Sequence, residues 1–441
     1  MKNKQIDRRN FMKGTAMATG GVMMAGLPAG ASAFVNPQAK KLKLAVVGCG
    51  GRGTGATVQA LTADPDVQLI AMADAFKDRV DSSLNSIMNS DLADDRKKNI
   101  KIKEDDKYAG FDAYKDAIKD ADVVILATPP GFRPYHLEEC INQGKHVFCE
   151  KPLATDAAGI RKCLDLVKVS EQKKLNIVVG LQRHYQTKYR EIIGRVKDGE
   201  IGDVTSGQVY WNGGGVWVRE RKPEYTEMQY QMRSWYYFNW LCGDHIVEQH
   251  IHNLDVFNWA KDAYPVSAQG MGGRQVRTGK EHGEIFDHHY VEYTYADGSI
   301  LNSQCRHIKG CKNNVSETLI GTKGIAKTWG SGTIEDLDGK VSYKHRGKED
   351  PNPYQVEHDE LFASVRNGGA INDLHNGAMS TMTAILGRYA TYSGLEVKMD
   401  DALASEVQLM QPTNTWEDTP PVMPNGDGYY PIAVPGKSIV F

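Results

Sequence analysis

The chain has 441 residues and a nearly balanced charge, with 53 Lys plus Arg against 55 Asp plus Glu. This balance leaves no basic excess to recruit nucleic acid, and the length is sufficient for two or three domains with real cores. The seven cysteines are scattered without a Cys-x-x-Cys pair, which favours reduced packing residues over a disulfide framework.

The N-terminus predicts an export signal over residues 1–33. A twin arginine, Arg8 and Arg9, precedes a weakly apolar run from 15 to 27, and small residues at 31–33 form a cleavage pattern. The segment resembles a twin-arginine signal, which implies the twin-arginine machinery as a partner and a periplasmic or secreted location. An ordinary secretion signal or an uncleaved anchor are the alternatives. Residues 34–41 look like a short arm, and no later apolar run is long enough to span a membrane.

A glycine-rich turn opens the first predicted domain. The apolar run 43–47 predicts a buried strand, Gly48-x-Gly50-x-x-Gly53 follows at once, and residues 56–61 predict a helix. This context is typical of dinucleotide binding, because the glycines allow a tight turn and let the backbone approach a pyrophosphate. A second strand, 67–73, ends at Asp74. A carboxylate there can accept from both ribose hydroxyls and would repel a 2′-phosphate, which favours NAD over NADP.

Two further strands extend the parallel sheet and place polar groups at its ligand-binding edge. Strand 121–127 ends at Thr128 and Pro129, and strand 145–149 ends at Glu150-Lys151-Pro152. Ligands of such sheets bind beyond the carboxyl ends of the strands, so Lys151 should lie near the nicotinamide ring. The predicted cofactor-binding residues are Gly48, Gly50, Gly51, Arg52, Gly53, Asp74, Thr128, Pro129, Glu150 and Lys151.

A titratable stretch between Trp240 and Trp259 is the second notable feature. If it forms one helix, five residues share a face, whereas His250 lies nearly opposite His252. The five are Asp244, His245, Glu248, His252 and Asp255. Charged groups on an otherwise apolar helix need partners or a function, because an unpaired buried charge is costly.

Four motifs in this order resemble the glucose–fructose oxidoreductase / inositol dehydrogenase / MocA (Gfo/Idh/MocA) family. They are the glycine turn, Ala127-Thr-Pro-Pro130, the run from Gly144 through Glu150-Lys151-Pro152 to Leu153, and His252-Asn-Leu-Asp255. The resemblance implies an α/β fold with an N-terminal Rossmann domain and a C-terminal α/β domain with an open, mostly antiparallel sheet. It also implies a sugar or cyclitol substrate between them and, by analogy, a homodimer or homotetramer.

We therefore expect domains at 42–153 and 154–405, followed by a Pro-rich tail at 406–441. Within the second domain, residues 289–295 and 300–304 alternate in polarity around the turn 296–298, which predicts a hairpin.

The resemblance also implies the site. The family's lysine, which contacts substrate and cofactor, matches Lys151, and its acid and histidine match Glu248 and His252. Hydride transfer from a carbinol carbon needs a base for the hydroxyl proton, and His252 is our candidate, with Lys151 as the alternative. Glu248 could orient the ring or bind another hydroxyl. The predicted substrate-binding residues are Lys151, Arg183, Trp235, Tyr236, Glu248, His252 and Asp255, although the aromatic residues could instead form an interface.

Two alternatives stay open. His245, Glu248 and His252 have a spacing that could hold a divalent metal, although we favour a site without one. The predicted activity is that of an exported NAD(P)-dependent oxidoreductase that acts on a sugar, glycoside or cyclitol with a tightly held cofactor. A glycosidase that works by transient oxidation at C3, elimination and re-reduction is the main rival, and a sugar-binding protein with a vestigial cofactor site is the third.

Overall fold

The structure, a computed structural model, describes residues 40–410 and 415–441. The predicted signal at 1–33 and residues 34–39 of the predicted arm lie outside the described residues. No helix within the described part of the chain is long and apolar enough to cross a membrane.

The first sheet has six strands in the order β3-β2-β1-β4-β5-β6, and every neighbouring pair is parallel. Its central strands read as continuous apolar runs because helices cover both faces of a parallel sheet. This arrangement confirms the predicted Rossmann domain. The strands are β1 Leu42–Val47, β2 Val67–Asp74, β3 Lys107–Ala109, β4 Val123–Leu126, β5 His146–Cys149 and β6 Ile177–Val179.

Six helices accompany these strands. The first follows the glycine turn directly, and the sixth crosses over from β5 to β6. They are α1 Gly51–Ala63, α2 Lys77–Met88, α3 Asp94–Lys97, α4 Ala113–Ala117, α5 Arg133–Asn142 and α6 Ala157–Gln172.

The parallel sheet extends beyond residue 153, where the sequence predicted the end of the first domain. Strand β6 pairs with β5 in register from Val147 with Ile177 to Cys149 with Val179. The predicted boundary followed the Glu-Lys-Pro motif, whereas the α6 crossover carries the chain back to the edge of the same sheet.

The second sheet has nine strands in the order β14-β13-β12-β11-β7-β10-β9-β8-β15. Only β7 and β10 pair in parallel, so the predicted mostly antiparallel sheet is confirmed. The predicted hairpin is β9 with β10. The strands are β7 Val204–Gly213, β8 Ser267–Gly273, β9 His288–Thr294, β10 Ile300–His307, β11 Asn314–Gly321, β12 Gly324–Lys327, β13 Thr333–Asp336, β14 Val341–Lys344 and β15 Val397–Lys398.

The later helices join the two sheets. Helix α12 packs on α1, where Arg366 forms an ion pair with Asp64 at 2.6 Å, and α13 is buried along almost its whole length. These helices are α7 Thr187–Lys197, α8 Glu227–Arg233, α9 Asn239–Cys242, α10 His245–Glu248, α11 Ile251–Lys261, α12 Pro353–Asn367, α13 Leu374–Ser393 and α14 Met399–Ala404.

Candidate active site

The glycine turn between β1 and α1 is shaped by close backbone contacts. Gly48 has φ +95°, and a Cβ at Gly53 would lie 1.8 Å from the carbonyl oxygen of Gly48, so neither position tolerates a side chain. A Cβ at Gly50 or Gly51 would meet nothing within 4 Å. These two glycines therefore leave the start of α1 open to a pyrophosphate, which fits the predicted cofactor.

Asp74 lies at the end of β2, beside this turn. Its Oδ2 accepts the backbone N–H of Cys49 at 2.7 Å, and its Oδ1 accepts that of Phe76 at 3.0 Å. Burial raises the pKa of Asp74, and the two N–H donors oppose that shift. Each oxygen keeps a lone pair, so the carboxylate can accept ribose hydroxyls as predicted.

A cleft of about 340 Å³ lies between the glycine turn and segments from the second half of the chain. Its sequence-predicted lining residues are Gly48, Gly50, Gly51, Arg52, Asp74, Thr128 and Pro129. Trp235, predicted to bind substrate, also lines this cofactor cleft, and it meets Trp217 edge to face with ring centroids 5.9 Å apart.

Two contacts hold the far wall of the cleft against the Rossmann domain. Arg233 forms two hydrogen bonds of 2.8 Å with Asp78 while its guanidinium lies 3.9 Å from the ring centre of Phe76. In the C-terminal tail, Trp416 packs against Phe76 and Phe111 with centroids 4.7 and 4.6 Å apart. Both phenylalanines line the cleft, so the tail extends its apolar wall.

Glu150 and Arg52 support the turn. The guanidinium donates from Nε to Glu150 Oε1 at 2.7 Å and lies 4.7 Å from the ring centre of Tyr354. This partly buried ion pair ties the end of β5 to the first turn of α1.

The predicted single helix from Trp240 to Trp259 is wrong. The structure has three helices there, α9, α10 and α11. Gly243 and Asp244, with positive φ of +77° and +74°, separate α9 from α10, and Gln249 and His250 separate α10 from α11. The one-face argument fails with the single helix, because Asp244 precedes α10, His245 and Glu248 lie on α10, and His252 and Asp255 lie on α11.

Lys151 and Glu248 meet directly at the end of β5. The lysine Nζ donates to Glu248 Oε1 at 3.0 Å and also to the backbone carbonyl of Glu248. Their side chains are 12% and 14% exposed, so the pair is shielded but reachable. The structure therefore brings together two of the three predicted catalytic residues.

His252 is the third predicted catalytic residue, and the charge of Lys151 acts on it. It is 6% exposed, its Nδ1 has no hydrogen-bond partner among the described residues, and its ring stacks on Trp211 at 5.9 Å. Burial, then the positive charges of Lys151 and Arg183, hold the pKa of His252 well below its usual range. The imidazole is therefore neutral at physiological pH, with one ring nitrogen unprotonated.

Tyr236 and Arg183 border the group. Burial and then the carboxylate of Glu248 raise the pKa of Tyr236 well above its usual range, so its hydroxyl stays protonated beside that acid. Arg183 is 6% exposed and forms a buried ion pair with Glu317. Its charge contributes to the field at His252 rather than to an open surface.

Asp255 does not join Lys151 and Glu248. It is fully buried, and its oxygens accept from His184 at 2.7 Å, Ser380 at 2.7 Å and Asn376 at 3.1 Å. These partners indicate that Asp255 holds α11 to the rest of the fold.

The predicted metal-binding spacing of His245, Glu248 and His252 does not bring their ligand atoms together in the described residues. His245 instead lies with Asp244 and His289, and its ring stacks on His307 at 4.2 Å. His245 and Glu248 share the short helix α10, and His252 lies on the next helix, α11.

Several residues of the site have no sequence signal of their own. Trp217, Arg233 and Trp416 reach the cleft from separate parts of the chain, and His184 meets Asp255 across 71 residues. The density of aromatic residues between 210 and 240 was the one available hint, and it could not show which side of the cleft they face.

Comparison with known proteins agrees with this geometry. The model of the GFO_IDH_MocA family, described as an oxidoreductase family with an NAD-binding Rossmann fold, matches residues 42–180. Inositol 2-dehydrogenase of Rhizobium meliloti (strain 1021) is 26% identical over 209 residues, which cover 47% of this chain and 52% of that protein. A glycosyl hydrolase family 109 protein of Streptomyces coelicolor is 24% identical over 365 residues, 76% of this chain and 72% of that protein.

The fold is shared with solved structures. Aldose-aldose oxidoreductase from Caulobacter crescentus, complexed with glycerol, superposes with a TM-score of 0.62 at 18% identity, covering 81% of this chain and all of that one. The chain spans about half the length of several of the curated relatives it matches. Together, the glycine turn, Asp74 and the family match identify residues 42–180 as an NAD-binding Rossmann domain of the Gfo/Idh/MocA oxidoreductase type.

Proposed function

We propose that the protein is an exported NAD-dependent oxidoreductase that transfers hydride between a hydroxyl-bearing carbon of a sugar, glycoside or cyclitol and a tightly held cofactor. The observation that carries the proposal is the pairing of Lys151 with Glu248, next to His252, at the carboxyl end of β5. Substrates of open parallel sheets bind at this edge, beside the glycine turn that receives the dinucleotide.

Lys151, Glu248 and His252 have different roles at a substrate hydroxyl. NAD, when bound, supplies the hydride acceptor. The neutral imidazole of His252 takes the hydroxyl proton, and Lys151 Nζ donates a hydrogen bond that stabilises the developing alkoxide. Glu248 holds Lys151 in place through Oε1 and its own carbonyl, and it can accept from a second hydroxyl. Lys151 as the base is the alternative assignment.

The far wall of the cleft supports tight retention of the cofactor. Arg233 and Trp416 contact the Rossmann domain from the opposite wall, so release of a dinucleotide would require these contacts to part. An exported enzyme has no free nucleotide pool, and a retained cofactor must be regenerated in place. We therefore favour a redox-neutral cycle, with one substrate oxidised and another reduced, or one substrate oxidised and then re-reduced.

A glycosidase that oxidises C3 transiently is the second candidate. The similarity to a glycosyl hydrolase family 109 protein over 76% of this chain favours it. Inositol 2-dehydrogenase, at 26% identity over a shorter stretch, favours the dehydrogenase. Both activities need the same base, lysine and dinucleotide, so this site alone fits either one.

One experiment separates them. The purified protein is denatured and its supernatant is analysed for nucleotide by absorbance and mass spectrometry, and the native protein is incubated with a panel of sugars, cyclitols and nitrophenyl glycosides. We expect about one NAD per chain and a ketone product from a free sugar or cyclitol. Release of nitrophenol without net reduced cofactor would establish the glycosidase, and protein that carries no nucleotide would contradict the closed cycle.

Export is proposed from the twin arginine at Arg8 and Arg9. Changing both residues to lysine is expected to leave the protein in the cytoplasmic fraction at its unprocessed mass, as measured by immunoblot of fractionated cells. Normal processing of that double variant would show that an ordinary secretion route carries the chain.

A further inference from the structure

A second cluster of ionisable side chains takes no part in the proposed chemistry. Two of its three members come just before Glu248 in the chain. Asp244, His245 and His289, here named the Asp–His cluster, are 0%, 1% and 3% exposed. One ligand atom from each lies within 4.8 Å of the other two. A buried group of two imidazoles and a carboxylate needs an explanation, because such groups are costly without partners.

The hydrogen bonds of His289 leave a lone pair facing a carboxylate. Thr391 Oγ1 lies 3.1 Å from the carbonyl oxygens of both Gly387 and Arg388, to which its hydroxyl donates. While the hydroxyl donates to one of these carbonyls, Thr391 Oγ1 can accept the Nδ1–H of His289, which lies 2.9 Å away. In the neutral ring, Nε2 then carries no proton and lies 3.3 Å from Asp244 Oδ2. In that tautomer two acceptors face each other at this distance, an arrangement that a cation would satisfy.

His245 adds a third converging donor atom. Neither of its nitrogens has a hydrogen-bond partner among the described residues, although the ring is almost fully buried. Its Nε2 lies 3.8 Å from Asp244 Oδ1. That oxygen accepts only the backbone N–H of His245, so it keeps a free lone pair. The unsatisfied imidazole is directed at the same carboxylate as His289.

Asp244 itself is held in place firmly. Its φ of +74° lies in a region that favours glycine, and its Oδ2 accepts from Phe286 N at 2.9 Å and from Tyr392 Oη at 2.5 Å. Backbone strain at a non-glycine residue persists only where the surroundings fix it. Contacts from the loop before β9 and from α13 do so here, and they aim the carboxylate at the two imidazoles.

We propose that Asp244, His245 and His289 bind one divalent transition-metal ion of the zinc type, with water as a fourth ligand. In tetrahedral zinc sites the bonds are about 2.0–2.2 Å, so ligand atoms lie roughly 3.3–3.5 Å apart. The distance from His289 Nε2 to Asp244 Oδ2, 3.3 Å, already matches, and the distance from His245 Nε2 to the other oxygen, Oδ1, is 3.8 Å. Imidazole and carboxylate ligands suit zinc, iron, nickel and cobalt.

The ion would act on the active site indirectly, by holding a nearby helix in place. The Asp–His cluster ties β9 to the first turn of α10, the short helix that ends at Glu248. It also adjoins His307, whose Nε2 bonds Gln249 Oε1 at 2.8 Å. A bound ion would therefore fix the helix that presents Glu248 to Lys151 without contacting the substrate.

The test uses full-length protein prepared without a histidine tag or chelator. Elemental analysis is expected to give about one metal per chain. After removal of the metal with a chelator, titration with Zn²⁺ should restore one saturable site and raise Tm, and Co²⁺ should give the visible absorption of a tetrahedral complex. We expect His245→Gln and His289→Gln each to weaken Zn²⁺ binding by at least about 100-fold.

His288→Gln is the matched control, because His288 neighbours His289 on β9 but its ring is 40% exposed and pairs with Asp287. Its Zn²⁺ affinity should equal that of the unchanged protein. Absence of metal in the purified protein together with no saturable Zn²⁺ or Co²⁺ binding to the chelated protein would overturn the proposal, and that result needs no variant to fold. Equal loss of affinity in His288→Gln would also overturn it.

Discussion

Replacing Lys151 with methionine is expected to lower the rate of cofactor reduction at least about 100-fold, with the nucleotide still bound. Lys151 is the only one of the three catalytic candidates that carries a positive charge to meet a developing alkoxide. Methionine keeps much of the aliphatic length but removes the charge and the donor. The loss should appear mainly in kcat, because the interaction strengthens as the hydroxyl loses its proton.

The measurement is a single-turnover reduction of the bound cofactor, followed by nicotinamide absorbance, with the best substrate from the panel. Lys162→Met is the matched control, since Lys162 pairs with Glu138 at 2.8 Å on a more exposed surface. It should react at the normal rate. His252→Gln should slow the reaction comparably to Lys151→Met if the imidazole is the base. Near-normal turnover in both Lys151→Met and His252→Gln would show that this group does not carry the chemistry.

The part of this site that the sequence predicted is the part built from local signals. The glycine turn and Asp74 follow directly from adjacent strand, turn and helix patterns, and the structure places them around one cleft. The alternation of residues 289–295 likewise predicted the β9–β10 hairpin. Each of these features depends on residues that are close together in the chain, where periodicity and glycine chemistry determine the backbone.

The part that could not be predicted depends on distant partners. Helical periodicity alone would run from Trp240 to Trp259, but the break at Gly243 and Asp244 is fixed by contacts with Phe286 and Tyr392, 42 and 148 residues away. The far wall of the cleft also depends on distant partners, because Trp416 packs against Phe76 from the other end of the chain.

Acidification from pH 7 to pH 5 is expected to cost about 6 kcal/mol of the free energy of unfolding through three buried histidines. Burial is the first cause that lowers the pKa of His136, His250 and His358 to about 3. In the unfolded chain each titrates near 6.5, so the unfolded state binds more protons below that pH. This contribution is complete above about pH 6.5 and is lost as the pH falls towards 3.

The magnitude follows from the linkage relation. At pH 5, which is roughly 1.5 pH units below the unfolded-state pKa, each ring is protonated in the unfolded chain but not in the folded one. This difference lowers the free energy of unfolding by about 2 kcal/mol per ring. A folded domain is stable by about 5–15 kcal/mol, so three such groups decide whether the native state survives mild acid. The check is the free energy of unfolding from urea titrations at pH 7, 6 and 5.

His358→Phe isolates one of these contributions. The ring of His358 lies 4.3 Å from that of Phe148, and neither of its nitrogens has a hydrogen-bond partner among the described residues. Phenylalanine keeps the aromatic packing and cannot bind a proton, so the variant should lose about 2 kcal/mol less than the unchanged protein between pH 7 and pH 5. The same pH dependence in both proteins would show that His358 is not held neutral, and a flat free energy in the unchanged protein would contradict the prediction for all three histidines.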